Sequence, residues 1–163
     1  MLFLKSTRQL SKTWLVMTEE KKSQPIRHLS KEDVATIYGV LFERFKEIGE
    51  PIPPFEHVNK KEIENLVVIP QTKHFGEEQY PTIEAKAAIL FYKINKGHIF
   101  PNGNKRISLA CLFIFLESNN FKLNITQDEA TKKALEVAQS DPNDFQRVKE
   151  EIEFWISGNL KEK

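Results

Sequence analysis

From Ile107 to Leu116 the chain is apolar at nearly every position, with Ser108 the exception. A helix without a polar face has no side to offer water, so it belongs at the centre of whatever surrounds it. The residues just before it have the opposite character. His98-Ile-Phe-Pro-Asn-Gly-Asn-Lys-Arg106 is short, polar and cationic. Pro101-Asn102-Gly103 is a turn signal, and Asn104 is placed to cap the helix that follows. That helix opens with two cations, Lys105 and Arg106. A helix N-terminus already carries about half a positive charge and presents free N–H groups. Each cation there costs roughly 0.3–1 kcal/mol unless an anion sits among them. A phosphate reverses that sign. The plain alternative is a structural turn with solvated Lys and Arg. The run is not a Walker loop, because no Gly precedes Lys105 at the required spacing.

The rest of the chain reads as mostly helical, so the expected fold class is all-α. Ser30-Lys-Glu-Asp33 forms a capping box with Asp in place of Glu. Val34, Ile37, Tyr38, Leu41, Phe42, Phe45 and Ile48 follow at the spacing of one helix face. Gly49 stops that helix and Pro51-Ile-Pro-Pro54 is a rigid connector. A short helix is expected over Lys60 to Val67. Thr82 caps the next, whose stripe is Ile83, Ala87, Leu90, Phe91 and Ile94, ending at Gly97. Asn119-Asn120 terminates the central helix. Thr126-Gln-Asp-Glu129 is a second capping box, opening a helix to about Gln139. Asp141 to Asp144 starts the last helix, with Phe145, Val148, Ile152, Trp155 and Ile156 inward and Gly158 after its end.

At 163 residues the chain is expected to hold one domain, residues 30–160, with an N-terminal extension over residues 1–29. In that extension Leu10, Trp14 and Met17 mark one face of a short helix, and Glu19 to Gln24 reads as a linker. A net charge of +1 and scattered basic residues argue against a nucleic-acid or membrane partner. Met1 to Lys5 is too short an apolar run for a signal peptide, and no stretch is long enough to span a membrane, so the expected location is cytoplasmic. The single cysteine, Cys111, reads as a small buried hydrophobe rather than a nucleophile. His28 and His57 lack metal-ligand spacing with any partner, and no zinc site is expected.

The string His98-x-Phe100-x-Asn102-Gly103-Asn104-Lys105-Arg106 closely resembles the signature of the Fic/Doc family, His-x-Phe-x-(Asp/Glu)-Gly-Asn-Gly-Arg-x-x-Arg in its Fic form. Lys105 at the third small position and Leu109 at the last Arg position match the Doc branch. The resemblance runs from about Tyr80 through Phe121. It implies a helical bundle around the central helix, with a small β-hairpin, the flap, before the motif. It makes His98 the general base that deprotonates a target hydroxyl. Phe100 becomes a buried anchor. Gly103 gives the backbone a close approach to phosphates, and Asn104 with the N–H groups after it holds phosphate oxygens. Lys105 and Arg106 neutralise the transferring phosphoryl group. Asn102 stands where Fic enzymes place an acid for magnesium; an Asn carbonyl adds no charge, so metal affinity falls. The flap, which binds the target as an added strand, is expected within Ile69, Pro70, Gln71, Thr72, Lys73, His74 and Phe75.

The implied activity is transfer of phosphate from ATP, with Mg²⁺, to a Ser, Thr or Tyr hydroxyl of a target protein, as the toxin of a toxin–antitoxin pair. Two alternatives stay open: AMP transfer in the Fic manner, and a Fic-fold module that binds a nucleotide or partner without catalysis. The family's self-inhibitory pattern, Ser/Thr-x-x-x-Glu-Gly/Asn, has no match here, since Lys60 precedes Glu64-Asn65 where a hydroxyl residue belongs. Control then falls to a separate antitoxin protein.

Overall fold

The computed structural model describes residues 24–163. The expected helix at Leu10, Trp14 and Met17 lies outside them, as does all of the expected linker but Gln24. The chain is already seated at Leu29, which is buried, and at Ile26, which packs against the same core.

The first helix, α1 (Lys31–Glu47), begins at the expected capping box: the Ser30 side chain accepts from the Asp33 N–H, and Asp33 accepts from the Ser30 N–H. Its face of Val34, Ile37, Tyr38 and Phe45 is buried. Ile48 is exposed, because the helix has ended and this residue is its C-cap. A 3₁₀ turn (Phe55–His57) leads to α2 (Lys60–Val68), capped by Asn59. A second 3₁₀ turn, Ile69–Gln71, precedes a two-stranded hairpin of β1 (Lys73–His74) and β2 (Glu77–Glu78). Then come α3 (Ile83–Lys96), capped by Thr82, and α4 (Asn104–Glu117). Strand β3 (Phe121–Leu123) is followed by α5 (Gln127–Gln139), whose Thr126–Glu129 capping box forms as expected. The last helix, α6 (Phe145–Asn159), follows a 3₁₀ turn at Pro142–Asp144. It runs through Gly158 rather than stopping before it, and the Asn159 side chain donates back to the Trp155 carbonyl. Strand β4 (Leu160–Glu162) then pairs antiparallel with β3, a contact that no local pattern announces.

The fold is all-α, with one short hairpin and the long-range β3–β4 pair as its β structure among the described residues. Its centre is a pair of helices, α3 against α4. Ala85, Ala87 and Ala88 are small and fully buried on α3, so neighbours approach its backbone closely; α2, α4, α5 and α6 all pack on it. Helix α4 buries Ile107, Ser108, Cys111, Leu112, Phe115 and Leu116 against α1, α3, α5 and β3. One of its faces is not closed: Leu109, Ala110 and Phe113 are half-buried and Ile114 is exposed. The apolar-all-round sequence of α4 thus leaves a side with no helix fully over it among the described residues.

No helix among the described residues is long and apolar enough to cross a membrane.

Candidate active site

The loop between α3 and α4 starts where the Gly97 C-cap ends α3. His98 follows with φ 49°, in the left-handed region, and is exposed. Backbone held there costs of order 1–3 kcal/mol and persists only when its surroundings fix it. Two contacts beneath the loop do so. Phe100 is buried and stacks on Tyr38 with ring centroids 5.3 Å apart. Tyr38 is itself held by its hydroxyl, which donates to the Pro53 carbonyl at 2.6 Å. The Asn104 side chain closes the loop from the other end, accepting from the Phe100 N–H at 3.1 Å and donating to the Phe100 carbonyl at 2.8 Å.

That clip corrects the expected role of Asn104. It is the first residue of α4 rather than its cap, and its amide is committed to Phe100, so only its N–H is left to face an anion. The cap is Gly103, at φ 78°. A Cβ on Gly103 would lie 3.2 Å from Phe45 and 3.4 Å from Ile52. The missing side chain is therefore needed on the core side, for packing and for a left-handed backbone.

No side chain caps α4, and its first turn holds no acid. The N–H groups of Asn104, Lys105 and Arg106 therefore open onto the surface with the positive end of the helix dipole behind them. Lys105 and Arg106 are both exposed there. Arg106 lies over the Phe45 ring, 4.7 Å from its centroid, and forms an ion pair with Glu50. Asn102 is exposed, and its carbonyl oxygen accepts from the Gly103 N–H at 2.7 Å.

These residues share one cleft of about 490 Å³. His98, Asn102, Gly103, Asn104, Lys105 and Arg106 all line it, so the folding of the loop brings together every polar position singled out in the motif. Its walls outside the motif carried no signal in the sequence. Glu50 and Ile52 come from the connector after α1, far from the motif in the chain. Asn95 and Lys96 adjoin the motif but fall within a helical stripe. Asn95 is buried, donates to the Ala134 carbonyl at 3.0 Å, and has no partner for its own carbonyl oxygen. Lys96 donates to the carbonyls of Ala138 and Ser140, a cation closing the C-terminus of α5.

The expected flap is displaced along the chain. Ile69–Gln71 is a 3₁₀ turn with Pro70 buried, not a strand. The hairpin spans 73–78, turning at Phe75 and Gly76, both with positive φ as a two-residue hairpin loop requires. Phe75 stands at the tip, almost fully exposed. The hairpin is tied to the core by Lys86, a fully buried lysine whose ammonium donates to the Pro70 carbonyl at 3.0 Å and to Glu78 at 3.1 Å. The residues of 69–75 do not line the His98 cleft. Among the described residues no group of three or more His, Cys, Asp or Glu side chains could hold a metal ion. At Asn102 the chain offers one neutral oxygen already bonded to its neighbour, which does not make a magnesium site by itself.

The model of the Fic/DOC family matches residues 28–116, more than half of the chain and all of the loop just described. The protein named Toxin Doc of Mycolicibacterium smegmatis is 32% identical over 81 residues, which is 48% of this chain and 62% of that protein. This chain thus spans less than two thirds of that relative's length. No solved structure matches the chain. With the motif on a loop between two central helices, an uncapped cationic helix start and the family match across both, the chain belongs to the Fic/Doc family.

Proposed function

We propose that the protein is a Doc-like transferase that moves the γ-phosphate of a nucleoside triphosphate to a Ser, Thr or Tyr hydroxyl of a target protein. The observation that carries this reading is the uncapped start of α4, with Lys105 and Arg106, in the same cleft as His98. Free N–H groups and two cations hold phosphate oxygens and offset the charge that spreads over them during transfer. His98, exposed at the rim, takes the proton of the incoming hydroxyl. The hydroxyl oxygen bonds to phosphorus, the bond to the bridging oxygen breaks, and the nucleoside diphosphate leaves. Asn102 would offer magnesium only a neutral oxygen, so the ion would depend on the triphosphate for anionic ligands.

A relative that is named a toxin supports a toxin role here. A separate antitoxin protein would then be the control, and the hairpin at 73–78 the edge that receives the target. Lys105 and Leu109 favour phosphate over AMP transfer, since the Fic pattern has a Gly and an Arg at those positions.

The test uses ATP labelled at the α- or the γ-phosphate, with cell lysate, and the wild type beside His98→Ala. The expected outcome is transfer of the γ label alone, abolished in the variant, with the melting temperature unchanged. Transfer of the α label would mean an adenylyltransferase. Nucleotide binding with no transfer of either label would leave a non-catalytic binding module.

A further inference from the structure

Lys86, Asn95 and Ser108 are the buried polar residues among those described. Lys86 serves the hairpin. The other two meet each other beside the His98 cleft. Asn95 lies in the last turn of α3, three residues before His98, and lines the cleft. Its side-chain amide donates two ways, to Ser108 Oγ at 3.4 Å and to the Ala134 carbonyl of α5 at 3.0 Å. Ser108 is fully buried and carries the connection onward, its hydroxyl donating to the Lys105 carbonyl at 2.7 Å. A chain of side-chain hydrogen bonds thus runs from the turn that leads into His98 to the turn that carries Lys105 and Arg106. Along the backbone the same two turns are joined by residues 97–103, where His98 and Gly103 are both left-handed.

Stability alone does not account for this pair. The Asn95 carbonyl oxygen is buried and has no partner. A partly satisfied polar network is less stable than an apolar core of the same shape. Leucine at 95 and alanine at 108 would leave no acceptor stranded, because the Ala134 carbonyl lies within α5 and belongs to its helix ladder. An unmet buried group calls for an explanation, and broken local rules gather at functional sites.

We infer that Asn95 and Ser108 are positioning residues that fix the separation between His98 and the phosphate-holding start of α4. The assignment rests on the transferase reading above and adds to it the residues that align its two halves. The start of α4 places the phosphorus, and the end of α3 places His98. The attacking hydroxyl must reach both at once. Apolar packing of α3 on α4 is strong but has no direction. Hydrogen bonds have one, and a misplacement of about 1 Å costs on the order of 10²-fold in rate. Neither residue needs to touch the substrate. Asn95 acts through the turn that leads into His98, and Ser108 through the Lys105 carbonyl.

The test compares the wild type with Asn95→Leu, Ser108→Ala and the double variant. Three quantities are read: melting temperature, calorimetric affinity for ATP, and the rate of γ-label transfer to lysate proteins at saturating ATP. The expected result is a melting temperature at or above that of the wild type in the double variant, with ATP affinity unchanged and transfer slowed roughly ten- to a hundred-fold. Ser108→Ala alone cuts the link with the smallest change in volume and is expected to slow transfer in the same direction, so the result does not depend on the folding of Asn95→Leu. Transfer at the wild-type rate in the folded variants overturns the assignment and leaves the pair to core packing, with the transferase reading intact. ATP affinity that falls as far as the rate also overturns it, since the pair would then build the phosphate site itself. No transfer by the wild type overturns the transferase reading and the positioning role together.

Discussion

Arg106 meets a carboxylate in this structure at the spot where the proposed reaction needs it to meet a phosphate. Its partner Glu50 reaches the cleft from the connector after α1, and both side chains are about half exposed. An ion pair in that setting contributes about 0.2–1 kcal/mol, so a phosphate carrying more charge displaces it readily. Removing the carboxylate should relieve the competition. Glu50→Gln is expected to bind nucleotide about 1.4- to five-fold more tightly, the same energy expressed as a ratio. Calorimetry with ATP checks this. Weaker binding in the variant would mean that Glu50 holds Arg106 in place instead. Residue by residue, Lys105 and Arg106 were legible because two cations at a helix start break a rule that neighbours alone define. Glu50 was not, since nothing near Gly49 refers to a loop 56 residues further along the chain. Asn104 was misread for a related reason. Its position favours capping, but only the folded loop brings the Phe100 backbone within reach of both ends of its amide.

Among the elements, α1 shows most directly how local chemistry is tied to stability. Its capping box holds the Asp33 carboxyl below the usual carboxylate range, first through the Ser30 backbone N–H. A carboxylate so lowered adds stability that is present above its unfolded pKa of about 4 and is lost as pH falls through its folded value. Two variants separate the parts. Ser30→Ala is expected to cost about 1 kcal/mol at neutral pH. Asp33→Asn should lose the acid-side dependence, so that its deficit against the wild type shrinks as pH drops below about 4. Urea unfolding at pH 6 and at pH 3 measures both. A constant deficit between the two pH values would mean that the carboxyl keeps an ordinary pKa. The helix starts at Ser30, Thr82 and Thr126 were legible because each cap sits within three residues of what it caps. The hairpin was placed too early, because the buried Pro70 and the Lys86 tie that fix its base depend on α3 packing beneath it.

For the molecule as a whole, Cys111 reports on whether the centre holds. It is fully buried on α4, and desolvation pushes its thiol up to about 12. A thiol reagent needs a thiolate and access, and the folded protein provides neither at pH 8. Labelling is therefore expected to wait for opening of the bundle: negligible in native buffer, complete in urea, and slower still with bound nucleotide, which stabilises the folded state by mass action. Rapid labelling in native buffer would contradict the packing of α4 against α3. As Cys111 is the chain's one cysteine, mass spectrometry of the intact protein reads this directly.

The sequence by itself determined the helices, the caps of α1, α3 and α5, the turn at Pro101-Asn102-Gly103 and the cationic start of α4. Each of these follows from residues within one or two turns of one another, where apolar spacing and backbone hydrogen bonds act. Packing decided the rest. It made α3 an equal partner at the centre, paired β3 with β4, buried Lys86 under the hairpin and brought Glu50 to Arg106. It also left one side of α4 open beside the His98 cleft. An apolar helix must be covered, but which neighbour covers which face depends on side chains that meet only after the helices have assembled.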